Sequence, residues 1–94
     1  MDKINSNHIY VFTATTTSQR LFAANKRRKA FAIYNNGANN VEVSDTSQAY
    51  GQGYLIIPTQ EISEDHFNPQ GDLFVIATVG NTELRVWEII SEER

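Results

Sequence analysis

The chain is predicted to be all-β, a small antiparallel β-sandwich or jelly-roll-like barrel of about seven or eight short strands. Three observations predict this. Most segments alternate apolar and polar residues with a period of two, as half-buried strands do. Turn residues return roughly every 8–12 positions. No segment joins a helical apolar stripe to caps at both ends.

The elements follow in order. Residues 9–15, IYVFTAT, are β-branched and aromatic, and the polar threonines after them still suit extended backbone. Residues 19–24, QRLFAA, read as a short strand, and 25–29, NKRRK, as a charged connection. In 28–35, RKAFAIYN, Ala30, Ala32 and Tyr34 share one face and Phe31, Ile33 and Asn35 the other. Asn35-Asn36-Gly37 tolerates positive φ and reads as a turn. It leads to 41–44, VEVS, with Val41 and Val43 inward and Glu42 outward. A hairpin over about 28–44 is the expected local unit.

Residues 45–53 hold two glycines without alternation and read as loop. Tyr54 to Ile57 is a short strand closed by Pro58, and 59–65 holds another around Ile62. Residues 66–72 are loop by their Pro and Gly. Residues 73–79, LFVIATV, are apolar nearly throughout and are expected to form a central strand buried on both faces. Residues 83–90, ELRVWEII, set Leu84, Val86 and Glu88 against Arg85, Trp87 and Ile89. The organisation expected is a flexible arm over 1–8, a single β domain over 9–90 and a polar tail over 91–94.

The 94 residues fit one domain with a thin core. A 40% hydrophobic and 20% charged composition argues against full disorder. The absence of cysteine excludes disulfides, cysteine-ligated metal and a cysteine nucleophile. Stability beyond a thin core is then expected from partner chains. No apolar run approaches the roughly 20 residues of a membrane span, and the first ten residues lack a signal-peptide core. Synthesis in the cytoplasm and no membrane partner are expected. Residues 1–41 carry six cations against Asp2, a net of +5, and residues 42–94 carry two cations against ten acids, a net of −8. Complementary contacts between copies are one reading; mixing of the two halves within one fold ranks ahead of it.

The search for chemistry returns little. His8 and His66 are the two histidines, short of the three protein ligands a catalytic zinc needs. Glu61, Glu64 and Asp65 crowd one stretch, better read as acids that keep a sheet edge soluble than as a glycosidase pair. No serine sits in a nucleophile elbow, and Gly51-Gln52-Gly53 is too short for a phosphate loop. No cofactor and no metal site is expected. The basic run Lys26, Arg27, Arg28 and Lys29 suits contact with an acidic protein surface. Nucleic acid ranks lower as its partner, because the net charge is −3 and stacking aromatics do not line up with it. Most aromatics are expected in the core. Tyr50 and Tyr54, beside the glycine loop, are the best candidates for interface anchors.

The run Leu21-Phe22-Ala23-Ala24-Asn25-Lys26-Arg27-Arg28-Lys29 leads into the strand 30–35, which ends in Asn35. A second strand, a glycine-containing loop, a short strand near Pro58 and a terminal pair, 73–79 and 84–90, follow. Over about residues 18–90 this resembles small tailed-bacteriophage virion β-sandwich proteins, the capsid decoration or cement proteins and related head accessory subunits. Ser44-Asp45 and Pro58-Thr59 depart from that pattern, where glycine and Pro-Gly are common. The resemblance implies a non-catalytic, homo-oligomeric structural protein of the virion. Its partners would be the major capsid protein or other virion subunits. A connector, tail or head-fibre component is the alternative within that class, and a carbohydrate-binding module the alternative outside it.

Overall fold

β-branched and aromatic residues pack well on a pleated surface, and the segments richest in them are strands in the computed structural model, which describes residues 3–47, 51–63 and 67–93. In chain order these are β1 (Lys3–Ala14), β2 (Gln19–Phe22), β3 (Arg28–Asn35), β4 (Val41–Ser44), β5 (Tyr54–Ile56), β6 (Glu61–Ser63), β7 (Leu73–Ala77) and β8 (Thr82–Glu93). They form two four-stranded sheets, β1-β8-β3-β6 and β2-β7-β4-β5, called here the first and the second. The pairs β1 with β8, β2 with β7, β3 with β6 and β4 with β5 are all antiparallel. The chain is thus one doubled ribbon, rolled until β8 also meets β3 and β7 also meets β4. That nesting is the jelly-roll order, and it fulfils the all-β expectation.

The roll explains the main departure from expectation. In it every connection except β4 to β5 passes from one sheet to the other. The hairpin expected over 28–44 is therefore not formed: β3 pairs with β8 and β6, and β4 with β7 and β5. The Asn35-Asn36-Gly37 turn is a crossover. Asn36 donates its backbone N–H to Glu83 O, and Thr78 donates to Asn40 O. Gly37 is obligatory by proximity, since a Cβ there would lie 2.5 Å from Thr82 Cγ2. Nested pairing also joins strands of the basic half to strands of the acidic half, which mixes the two charges.

β1 and β8 are paired without interruption from Lys3↔Glu93 to Ala14↔Thr82. The segments expected as arm and tail are thus strand from residue 3 and up to residue 93. Twelve residues at about 3.3 Å each span roughly 40 Å, which sets the 47 Å long axis. β3 reaches only Ile90, so the last rungs of this ribbon project past the first sheet.

The core lies between the sheets. Ile33, Leu84 and Val86 of the first and Val41, Val43, Ile56 and Val75 of the second are sealed from water. Phe22 and Phe31 meet edge to face at 5.4 Å between ring centres. β7 is central as expected, but it ends at Ala77, and Val79 is exposed. Glu42, expected outward on β4, does point away from the core yet is buried. Residues 51–53 lie over it, and Glu42 Oε1 accepts backbone N–H bonds from Gly51 at 2.7 Å and Gly53 at 3.0 Å. Only glycine lets that backbone lie so close to β4, because a Cβ at residue 53 would sit 2.9 Å from Val43 O.

Candidate functional site: the outer face of the first sheet

The basic run does not act as one patch. Asn25 Oδ1 accepts the Arg27 N–H at 2.9 Å, which shapes the turn into β3. The register against β8 then slips between Arg28 and Ala30. Counted back from Phe31, strict alternation would turn Lys29 inward and Arg28 outward; the bulge reverses this. Lys26, Arg27 and Lys29 are exposed, whereas Arg28 is only 4% exposed. Its place among the expected contact residues is corrected on that ground. Arg28 Nε donates to Glu88 Oε1 at 2.7 Å, and its NH2 group donates to Ala23 O at 3.0 Å. NH1 donates to Pro69 O at 3.2 Å, and the guanidinium stacks 4.2 Å from the Phe22 ring centre. This cation fastens the β2–β3 turn and the loop before β7 to the core.

Tyr10 completes the network, donating its hydroxyl to Glu88 Oε2 at 3.1 Å. Burial first, and the Glu88 charge second, raise the Tyr10 pKa well above its usual value. The neutral phenol is therefore the form the fold favours. Its contribution is full below the unfolded pKa of about 10 and declines as pH rises above it. Urea midpoints at pH 9 and 11 are expected to fall further for the wild type than for Tyr10→Phe; equal falls would remove this assignment.

Tyr54 is half exposed, its ring edge-on to Phe67 at 6.3 Å. Tyr50 lies outside the described residues, as do Glu64, Asp65 and His66. His8 is exposed on β1 and Glu61 on β6. Asp45 and Asp72 line a polar groove of about 300 Å³ beside Phe67, but Asp72 Oδ1 there accepts the Ala24 N–H at 2.8 Å, a turn-holding role.

The most distinctive surface is one the residue types did not single out. The outward residues of the first sheet form rows across its strands. Ile9, Trp87 and Ala32 make one row, ending at Ser63. Val11, Arg85 and Tyr34 make the next, ending at Glu61. Ile9 is 71%, Val11 56% and Trp87 48% exposed. Because Ala32 is small, the indole stands above its neighbours with a hollow on each side. One, of about 180 Å³, is lined by Phe31, Ala32, Ser63, Trp87 and Ile89. The other, of about 80 Å³, is bounded by Ile9, Tyr34, Glu61 and Arg85. Arg85 is held at the rim by Glu83, Nε to Oε2 3.1 Å. Glu83 also accepts the Asn36 side-chain amide at 2.6 Å. That bond first, and the Arg85 bond second, keep its carboxyl below the usual carboxylate range.

Chemically this face offers an aromatic ridge, aliphatic floors and a thin charged rim, the make-up of an interface core. Most aromatics were expected in the core; Trp87 is not there. The signal that it would not be was its shared parity with Arg85 in 83–90. The cross-strand neighbours of Trp87 are Ile9 and Ala32, so the aromatic row a carbohydrate-binding module requires is not built around it.

No family model and no curated protein matches the chain. Among solved structures, one described under "Bacillus endospore appendages form a novel family of disulfide-linked pili" superposes with a TM-score of 0.55 and 13% identity. The match covers 97% of this chain and 89% of that one. At so low an identity the likeness is one of fold: nearly the whole chain shares its β architecture with a pilus protein.

Proposed function

We propose that this chain is a non-catalytic structural subunit that works by laying the Trp87 face of its first sheet on a neighbouring protein. The observation that carries the reading is the inversion of that sheet. A sealed core leaves a tryptophan and two branched aliphatic residues in water on the opposite side. Soluble domains rarely keep such a ridge without an interaction use. The shared fold with a pilus protein supports service as a repeated building block. Disulfide linkage of the kind named for that protein has no counterpart here, because this chain has no cysteine.

The resemblance of residues 18–90 to tailed-phage virion proteins gives the proposal its specific form, decoration or cementing of a capsid lattice. Jelly rolls are frequent in capsids, and many copies on a lattice gain avidity. A fibre or appendage subunit is the second reading, favoured by the pilus neighbour. The test is co-sedimentation with empty phage capsids, followed by negative-stain imaging. Saturable coating is expected. Trp87→Ala is expected to weaken it at least about 30-fold, the loss of one buried aromatic anchor, while the melting temperature stays nearly unchanged. Filaments of the protein alone, without capsid coating, would favour the second reading. Neither coating nor assembly would overturn both.

A further inference from the structure

A strand at a sheet edge leaves a row of backbone N–H and C=O groups without a strand partner, and proteins guard such rows with shortness, charge, proline or bulges. Three of the four edges here are guarded. β5 and β6 are three residues long, and Pro58 and Glu61 stand beside them. β2 is four residues long, has a register shift against β7 and exposes Arg20. β1 is the exception. It has twelve residues, pairs among the described residues with β8 alone and shows no register shift along that pairing. Between Lys3 and Ala14 it contains no proline and no Asp, Glu, Lys or Arg. Ile9 and Val11, both exposed apolar side chains, stand at this open edge.

We infer that β1 is an association edge whose occupant is β1 of a second copy, antiparallel and centred on Tyr10. Three features select that occupant. The central stretch carries no formal charge to repel its own copy, and none to attract a charged foreign segment. Centring on Tyr10 places Ile9 of each copy directly opposite Val11 of the other, so the residues most in need of cover provide it reciprocally. A shift of register by one residue would set outward side chains against inward ones, and a shift by two would set Ile9 or Val11 against its own counterpart and leave the other facing Asn7 or Thr13, respectively. The two first sheets become one continuous sheet, and the two Trp87 faces merge into a single strip. The inference deepens the structural-subunit reading and rests on it: a dimer presents the docking face twice and binds a lattice by two points at once.

Sedimentation velocity of the full chain over a wide concentration range tests this. Particles of twice the 10.6 kDa chain mass are expected. Val11→Lys places two ammonium groups at the seam and is expected to weaken association at least about tenfold, with the circular dichroism spectrum unchanged. Leu55→Lys, on the exposed outer face of the second sheet, is expected to leave it unaltered. The chain has no cysteine, so single cysteines are clean probes of register. Chains with Ile9→Cys should cross-link to chains with Val11→Cys. They should not cross-link to themselves, because like positions lie diagonally, about 7–8 Å apart, beyond disulfide reach. A wild-type monomer at every concentration overturns the inference. So does a dimer indifferent to Val11→Lys, or equal cross-linking in all combinations. A monomer that still coats capsids sinks the edge pairing and leaves the proposed function standing; a dimer of this register that binds no lattice does the reverse.

Discussion

Glu88→Ala is expected to remove about 3–5 kcal/mol of stability, the cost of leaving one buried ionic partner uncompensated. The residue it strands is Arg28, which is 4% exposed and whose charge meets Glu88 Oε1 at 2.7 Å. The carbonyls of Ala23 and Pro69 would still accept from the guanidinium, and Phe22 would still stack on it, but the carboxylate that balances its charge would be gone. Tyr10 would lose the acceptor of its hydroxyl as well. A domain of this length has a total margin of about 5–14 kcal/mol. The variant is therefore expected to be partly unfolded at 37 °C, with a melting temperature roughly 15–25 °C lower. Arg28→Ala should cost a similar amount, since it leaves a buried carboxylate and frees the loop before β7. The pair exchanged together, Arg28→Met with Glu88→Leu, should cost far less than the two single losses combined, because neither charge is then stranded. Urea unfolding of the four proteins as a double-mutant cycle measures the coupling. A loss under about 1 kcal/mol for Glu88→Ala would show that water reaches the pair and that the network does not hold the end of the sandwich.

How much of this was legible in the sequence depends on the scale. Alternation marked most strands, because side-chain parity is a local property of extended backbone; 54–57 and 73–79 were marked instead by short apolar runs, and the outer ends of β1 and β8, read as arm and tail, were not marked. Parity also sorted Phe31, Ile33 and Asn35 from Ala30, Ala32 and Tyr34, and Leu84, Val86 and Glu88 from Arg85 and Trp87, as the burial pattern has it. Strand partners are not local. Asn35-Asn36-Gly37 bends a chain whether the next strand joins the same sheet or the facing one, so the crossover looked like a hairpin. The bulge at Arg28 was hidden for a related reason: one extra residue leaves no mark in composition, yet it decided which of four successive cations is buried. The Trp87 face was missed through a prior. Aromatic residues usually fill cores, and the contrary sign, parity shared with Arg85, was present in the sequence. The burial of Glu42 was invisible, because it depends on residues 51–53 lying over an outward position.

Asn35→Asp is expected to cost about 3 kcal/mol or more at pH 7, although it changes one nitrogen to one oxygen. Asn35 is sealed from water and ends β3 where the chain leaves the first sheet. Its side-chain amide donates to Asn39 O at 2.8 Å and to Ile56 O at 3.0 Å, and its Oδ1 accepts the Gly37 N–H at 3.0 Å. Its backbone N–H donates to Gln60 O, and its carbonyl accepts from Thr59 N. One residue thus ties β3, the crossover, the end of β5 and the turn before β6. That turn holds Thr59 at φ 70°, a conformation β-branched residues rarely adopt. An aspartate would press a charged oxygen against two carbonyl oxygens at hydrogen-bond distance. Asn35→Ala, which only deletes the bonds and leaves carbonyls unanswered, is expected to cost about 1–3 kcal/mol. The two variants should also separate by pH. Burial and the facing carbonyls favour the protonated acid, raising the folded-state pKa of an aspartate here above its unfolded value of about 3.9. Its penalty then grows as pH rises past that value and shrinks as pH falls towards it. At pH 4 the acid regains a proton to donate to one carbonyl, and the gap between Asn35→Asp and Asn35→Ala should narrow or reverse. A constant gap between pH 4 and 7 in urea unfolding would mean that the residue 35 side chain faces water and that the crossover is held by its backbone alone.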